Sequence, residues 1–219
     1  MQPDEIEKKS FAIISAEAGD HGLDADTWAV VSRMIHTSAD FEYLESVRIH
    51  PRAIAAGVEA IRSARPVITD TNMARAGIRK RDVETFGGEV KCYMEEAVVK
   101  QIAEQKGITR AAAAVDAALD TISGAIYVVG NAPTALLRLI AHIRAETALP
   151  ALIVGLPVGF VNAAESKADL LNLDVPYITN AGRKGGSNVA AAVVNSLILL
   201  ARAHEGQAPR DPISYGEAG

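Results

Sequence analysis

Over the first forty positions apolar side chains recur at steps of three and four, and further on they cluster in short runs separated by longer helical stretches. Pro3–Asp4 open a segment with Ile6, Ser10, Ile13, Ile14 and Glu17 at helical spacing, and Gly19–Gly22 break it. Asp24 or Asp26 can cap a second helix running to about Asp40. On that helix Trp28, Val31 and Ile35 form one apolar stripe, while Ala29, Arg33, His36 and Asp40 form another by i+3 and i+4 steps. "YLESVRI" reads as extended, and "HPRAIAAGVEAIRSA" as a helix with Pro51 in its first turn, where a missing N–H is harmless. "PVITD" (66–70) is a predicted strand followed by a turn and a short helix, "TNMARAGI". "VKCYM" is a strand, "EEAVVKQIAEQKG" a helix ending at Gly107, and "TRAAAAVDAALDTIS" a further helix.

The second half repeats one rhythm. Strand "AIYVVG" (125–130) precedes helix "APTALLRLIAHIRAE", strand "ALIVG" (151–155) precedes "FVNAAESKADLLN", and strand "PYITN" (176–180) precedes "SNVAAAVVNSLILLARAHE". Three consecutive strand–helix units imply parallel strands joined by right-handed crossovers. The expected fold is α/β: a three-layer sandwich with a mostly parallel central sheet and helices on both faces. Residues 1–205 form one domain in this reading, and the Pro/Gly-rich stretch 206–219 a loosely ordered tail. Residues 188–203 are the most apolar segment, but they fall short of the roughly 20 apolar residues of a membrane span and read as a buried helix.

Composition narrows the picture. Ala, Val, Ile and Leu carry the apolar load and only 5% of residues are aromatic, as suits buried parallel strands under small-residue helices. The net charge of −5, with no basic stripe, argues against a nucleic-acid partner. A single cysteine, Cys92, rules out an internal disulfide and a cysteine-based zinc site. No two histidines have convincing metal-ligand spacing, so no metal is expected. The N-terminus lacks an apolar signal core, and the simple reading is a cytoplasmic protein with no membrane contact.

In open parallel sheets ligands bind beyond the carboxyl ends of the strands. Three connections there are rich in glycine and feed helix starts: "GNAPT" (130–134), "GLPVGF" (155–160) and "NAGRKGGSN" (180–188). Unpaired N–H groups at helix starts favour anions. The third also carries Arg183 and Lys184, and "DTNMARAGIRKR" brings Thr71, Arg75, Arg79, Lys80 and Arg81. Two readings stay open: a substrate with several acidic groups, one at each helix start, or ordinary turns in which glycine is the default residue. The P-loop pattern and the G-x-G-x-x-G fingerprint are both absent.

His36 is the first candidate for chemistry, since an imidazole exchanges protons near neutral pH. Arg33 lies one turn before it, and Asp40 one turn after it could hold the ring if the helix continues. The alternative is a helix-end histidine interacting with the dipole or with Asp40. Ser10 interrupts an apolar stripe; it either bonds its own i−4 carbonyl or faces a ligand. Ser38, Ser123 and Ser187 lack a G-x-S-x-G elbow, so a hydrolase triad is poorly supported. Asp116 and Asp120, four apart, read as a solvated face, and Tyr93, Met94 and Phe160 as core or as an apolar wall.

Taken in order, "RMIHTSADFEY", "VITDTNMARAGI", "GNAPTALLRL", "GLPVGFVNAAESK" and "TNAGRKGGSNVAAAVVNSLILLA" resemble the precorrin-8X methylmutase family, from about Asp4 to Ala203. The resemblance implies an isomerase that moves a methyl group from C11 to C12 of a tetrapyrrole, giving hydrogenobyrinate in cobalamin biosynthesis. It implies His36 as the catalytic residue, Ser10 and Arg33 as substrate contacts, and a homodimer. No cofactor is required, because the methyl group is already on the substrate. Thr71, Arg75, Arg183 and Lys184 complete the expected substrate-binding set for a carboxylate-edged macrocycle. Two competing functions are a corrinoid carrier without catalysis and an α/β enzyme of phosphorylated metabolites.

Overall fold

A computed structural model describes residues 2–204, so the tail expected at 206–219 lies outside the described residues. Its centre is a six-stranded sheet of β1 (Val47–Ile49), β2 (Val67–Thr69), β3 (Val90–Lys91), β4 (Ile126–Val129), β5 (Leu152–Gly155) and β6 (Tyr177–Asn180). The strands lie in the order β1-β6-β5-β4-β2-β3; β1 runs antiparallel to β6 and every other pairing is parallel. The expected α/β architecture with a mostly parallel sheet is what the chain adopts.

Alternation along the strands explains the layering. Val67, Ile126, Val128, Leu152, Val154 and Ile178 point into one core, while Ile68, Tyr127, Val129 and Ile153 point into the other. Successive strand residues face opposite sides, so strands covered on both faces are apolar throughout. The first core is closed by α2 (Ala25–Ser38), α4 (Ala53–Arg62), α5 (Asn72–Gly77), α6 (Lys80–Thr85) and α12 (Ser187–His204), with α1 (Pro3–Ala18) packed outside α2. The second is closed by α8 (Arg110–Ala117), α9 (Leu119–Ile122), α10 (Pro133–Arg144) and α11 (Ala163–Leu170), with α7 (Ala97–Lys106) resting on α8. Among the described residues no helix is long and apolar enough to cross a membrane.

Some local expectations change. "YLESVRI" is not extended throughout: the Asp40 carboxylate accepts the Glu42 N–H, and one helical turn, α3 (Glu42–Ser46), precedes β1. Lys80 and Arg81, read only as basic residues, open the short helix α6. Pro51 lies in a turn ahead of α4 rather than inside it. Asp116 is not solvated: its side chain is 3% exposed and takes Lys106, Arg138 and His142 at 2.6–2.7 Å. Those partners hold its carboxyl well below the usual range despite burial.

Candidate functional site

The connections after β2 and β6 lead to helices on one face of the sheet, and those after β4 and β5 to helices on the other. The chain therefore diverges above two neighbouring strand pairs, β2/β4 and β5/β6, where an open α/β sheet holds its ligand. The candidate residues form three groups, two in the connections at this carboxyl edge and one between α1 and α2, which the Lys184–Asp40 pair ties to the connection after β6.

The first group lies between α1 and α2. Arg33 Nη1 pairs with Glu7 at 3.2 Å, and its guanidinium sits 5.0 Å from the centre of the Phe11 ring. His36 stacks on the same ring, with centroids 4.9 Å apart and planes inclined by 13°. Its side of α2 remains exposed to solvent. Ser10, the neighbour of Phe11, donates to the Ile6 carbonyl at 2.9 Å, the local bond anticipated for it. Ile14 is buried, whereas Ile6 and Ile13 are 52% and 48% exposed, so the stripe that Ser10 interrupts faces outward for most of its length. Phe11, which orients His36, carried no sequence signal beyond being apolar.

Asp40 does not hold the imidazole. α2 ends at Ser38, because Ala39 takes a left-handed conformation (φ 53°) and returns its N–H to the Ile35 carbonyl at 2.7 Å. Beyond that turn Asp40 accepts Lys184 Nζ at 2.6 Å, and Glu42 takes the same ammonium at 2.7 Å. The lysine holds the Asp40 carboxyl below its usual range, and the two carboxylates raise the Lys184 ammonium in turn. Lys184 thus links the connection after β6 to the end of the His36 helix.

The second group is that connection itself. Arg183 lies with its guanidinium 5.6 Å from the centre of the Phe160 ring, in the connection after β5. Phe160 is 84% exposed and Val161 76%, so Phe160 is surface rather than core. Gly185 lets the two connections touch: a Cβ there would lie 2.3 Å from the Leu156 carbonyl oxygen. Beneath them the Lys167 ammonium, on α11, donates to the Lys184 carbonyl at 2.6 Å and to Asn180 Oδ1 at 3.0 Å. Burial, with no carboxylate partner among the described residues, pushes that lysine down to about 8.

The third group stands over β2 and β4. Thr71 caps α5 and shares a 2.9 Å hydroxyl–hydroxyl bond with Ser187 at the start of α12. Arg75 Nε donates to the Val90 carbonyl at 3.1 Å, and Met73 beside it is 74% exposed. The "GNAPT" connection is not an anion site. Its backbone N–H groups at Gly130, Asn131 and Ala132 are already taken by the buried Asp70 carboxylate at 2.8–2.9 Å. Burial pushes the Asp70 carboxyl up against the pull of those donors. Gly130 serves packing: a Cβ on it would lie 2.7 Å from Ser187 Cα.

A cavity of about 680 Å³ lies between the starts of α2 and α4 and the edge strand β1, lined by Asp24, Thr27, Ile49, His50, Ile54 and Glu59 among others; none of the candidate residues borders it. Among the described residues no group of three or more His, Cys, Asp or Glu side chains could hold a metal ion.

Comparison with known proteins gives a consistent result. The sequence model of one family, precorrin-8X methylmutase, matches residues 5–200. The cobalt-precorrin-8 methylmutase of Priestia megaterium is 46% identical over 213 residues, spanning 96% of this chain and 95% of that one. The precorrin-8X methylmutase of Pseudomonas aeruginosa is 40% identical over 195 residues, spanning 88% and 93%. The crystal structure of the precorrin-8X methylmutase from Thermus thermophilus superposes with a TM-score of 0.84 at 42% identity, over 91% of this chain and 98% of that one.

Proposed function

From the premise that this chain belongs to the precorrin-8X methylmutase family, we propose that it moves a methyl group from C11 to C12 of a carboxylate-edged tetrapyrrole, with His36 as proton donor and acceptor. The chain is an isomerase, an intramolecular transferase of corrin biosynthesis. The finer assignments of residues and of the reacting carbons are our reading, as are the single domain over 1–205, the homodimer and the cytoplasmic setting.

The observation that carries this reading is the exposed imidazole of His36, stacked on Phe11 beside Arg33, on a helix whose end Lys184 ties to the edge that carries exposed Phe160, Val161 and Met73. A flat macrocycle has two apolar faces and an acidic rim. The exposed apolar side chains suit the faces. Arg33, Arg75 and Arg183 suit the rim, with the hydroxyls of Ser10 and Thr71 as shorter contacts. Each arginine meets the solvent edge with nitrogens beyond those its present partners use.

In the reaction the C11–methyl bond breaks as the C12–methyl bond forms, so the formula is unchanged and no oxidant or donor enters. His36 delivers a proton to a ring nitrogen, which draws electrons out of the conjugated system and eases the shift. The same imidazole then recovers the proton as the corrin chromophore forms. General acid–base help of this kind contributes roughly 10²–10⁴-fold.

The test is incubation of the purified protein with metal-free and with cobalt-loaded precorrin-8, followed by absorbance spectroscopy. Rearrangement of either substrate by the wild-type protein, with turnover lowered at least 100-fold in His36→Ala, is expected. Unaltered turnover in that variant removes the role given to His36, and tight product binding without rearrangement by the wild-type protein points to a carrier. Sedimentation of the purified protein decides the homodimer.

A further inference from the structure

The most unusual group on this edge is a buried cation with no counter-ion among the described residues. Lys167 is 1% exposed, and among the described residues its ammonium has only neutral acceptors, the Lys184 carbonyl at 2.6 Å and Asn180 Oδ1 at 3.0 Å. Burying an ammonium without an opposite charge is costly, and these two hydrogen bonds offset part of that cost. Both acceptors belong to one piece of chain, the end of β6 and the connection leading to α12.

That connection needs an anchor. Gly182, Gly185 and Gly186 fall within five residues, and Gly182 and Gly186 have φ of 82° and 133°, so the unfolded backbone has much freedom to lose. Its outer side is tied by Lys184 Nζ to Asp40 and Glu42, and its ends by Ala181 N–H to the Ser46 carbonyl and Gly186 N–H to the Leu156 carbonyl. The inner bond from Lys167 meets the main chain at Lys184, the residue after Arg183. The Gly159 N–H holds the neighbouring Arg183 carbonyl at 3.2 Å, so removing the lysine leaves that longer bond alone to fix the backbone that carries the Arg183 side chain over Phe160.

We propose that Lys167 is a positioning residue for substrate binding, its buried ammonium fixing the 181–186 backbone so that Arg183 meets a carboxylate of the macrocycle. The inference rests on the methylmutase reading above. Lys167 touches no substrate; it acts through the peptide that it holds. Binding energy comes from preorganisation here, because an arginine on a fixed backbone loses less freedom when the carboxylate arrives.

The experiment compares the wild-type protein with Lys167→Met, Lys167→Arg and Asn180→Ala by steady-state kinetics on precorrin-8 and by amide hydrogen exchange across 181–186. Lys167→Met keeps length and apolar stem but loses the ammonium. It should raise KM about tenfold with kcat within about threefold, a binding effect rather than a chemical one. Exchange at 181–186 should speed up about tenfold or more while the sheet stays protected. Lys167→Arg retains a cationic donor and should recover most of the KM change. Asn180→Ala removes one acceptor and should move KM and exchange in the same direction by less, so the proposal stays testable if Lys167→Met fails to fold. A folded Lys167→Met with wild-type KM and wild-type exchange overturns the proposal, and so does an unfolded Lys167→Met accompanied by a wild-type Asn180→Ala. If the wild-type protein turns over no precorrin-8, the methylmutase reading fails, and the exchange data alone decide whether Lys167 pins the connection.

Discussion

The Phe11 ring lies nearly parallel to the His36 imidazole, with 4.9 Å between their centres, so a residue of α1 sets the attitude of a side chain on α2. The Arg33 guanidinium lies over the same ring at 5.0 Å. One aromatic side chain therefore positions both the proposed acid–base group and a proposed carboxylate contact. Aromatic stacking of this kind contributes about 0.5–1.5 kcal/mol beyond area burial. Phe11→Ala should lower kcat up to about tenfold, with thermal melts confirming that the variant is folded. Wild-type kcat in the folded variant would show that the imidazole needs no such support.

Arg183 has a different signature. Its guanidinium sits over an exposed ring and takes no part in the proton transfer proposed for His36. Arg183→Gln should raise KM by about tenfold, equivalent to roughly 1.4 kcal/mol of lost binding, while kcat changes little. A drop in kcat at constant KM would move Arg183 from binding the rim to assisting the chemistry.

Asp70 is a stability element. Its two carboxylate oxygens take three backbone N–H groups above the β2/β4 junction. An asparagine has one acceptor oxygen, and its amide would point N–H groups at N–H groups. Asp70→Asn should destabilise the fold by about 2–4 kcal/mol, read as a lower urea midpoint at unchanged slope. A loss under about 0.5 kcal/mol, the level of an ordinary surface substitution, would contradict this account of the junction.

Lys167 makes a pH prediction whose sign follows from linkage. Its folded pKa is pushed down to about 8 from 10.5. Between those values the unfolded chain binds the proton and the folded one does not, so stability rises with pH. The penalty is complete below about pH 8 and is relieved towards 10.5, by up to about 3 kcal/mol. Tyr43, pushed up to about 12 by burial, works in the opposite direction above its ordinary value of 10. The measurement is therefore the difference between wild type and Lys167→Met from pH 7.5 to 10. A difference that does not vary with pH would mean that the lysine titrates normally.

Much of the molecule is legible in the sequence alone. The alternation of strand and helix periods in 125–204 sufficed for three parallel strands, because strands covered on both faces must be apolar at every position. The Gly19–Gly22 break and the Asp24 cap bounded α1 and α2. The order of the motifs around His36, Thr71 and Gly182 carried the family. The secondary-structure misreadings were local. A five-residue helix before β1 and a six-residue α6 are too short to show a period.

What the chain's own order of residues determined is therefore the sheet, the helices, and which residue types reach its carboxyl edge. Partnership was decided only in three dimensions. Nothing in one-dimensional spacing pairs Asp70 with a loop sixty residues away, Lys184 with Asp40, or Phe11 with His36. Asp40 lay one helical turn from His36 in the sequence and was turned aside by a single left-handed residue, Ala39. Two of the glycines in the connections that promised anion cradles, Gly130 and Gly185, are points where backbones come close. Secondary structure follows from local sterics and periodic burial, whereas the neighbours of a polar side chain depend on how separate elements pack.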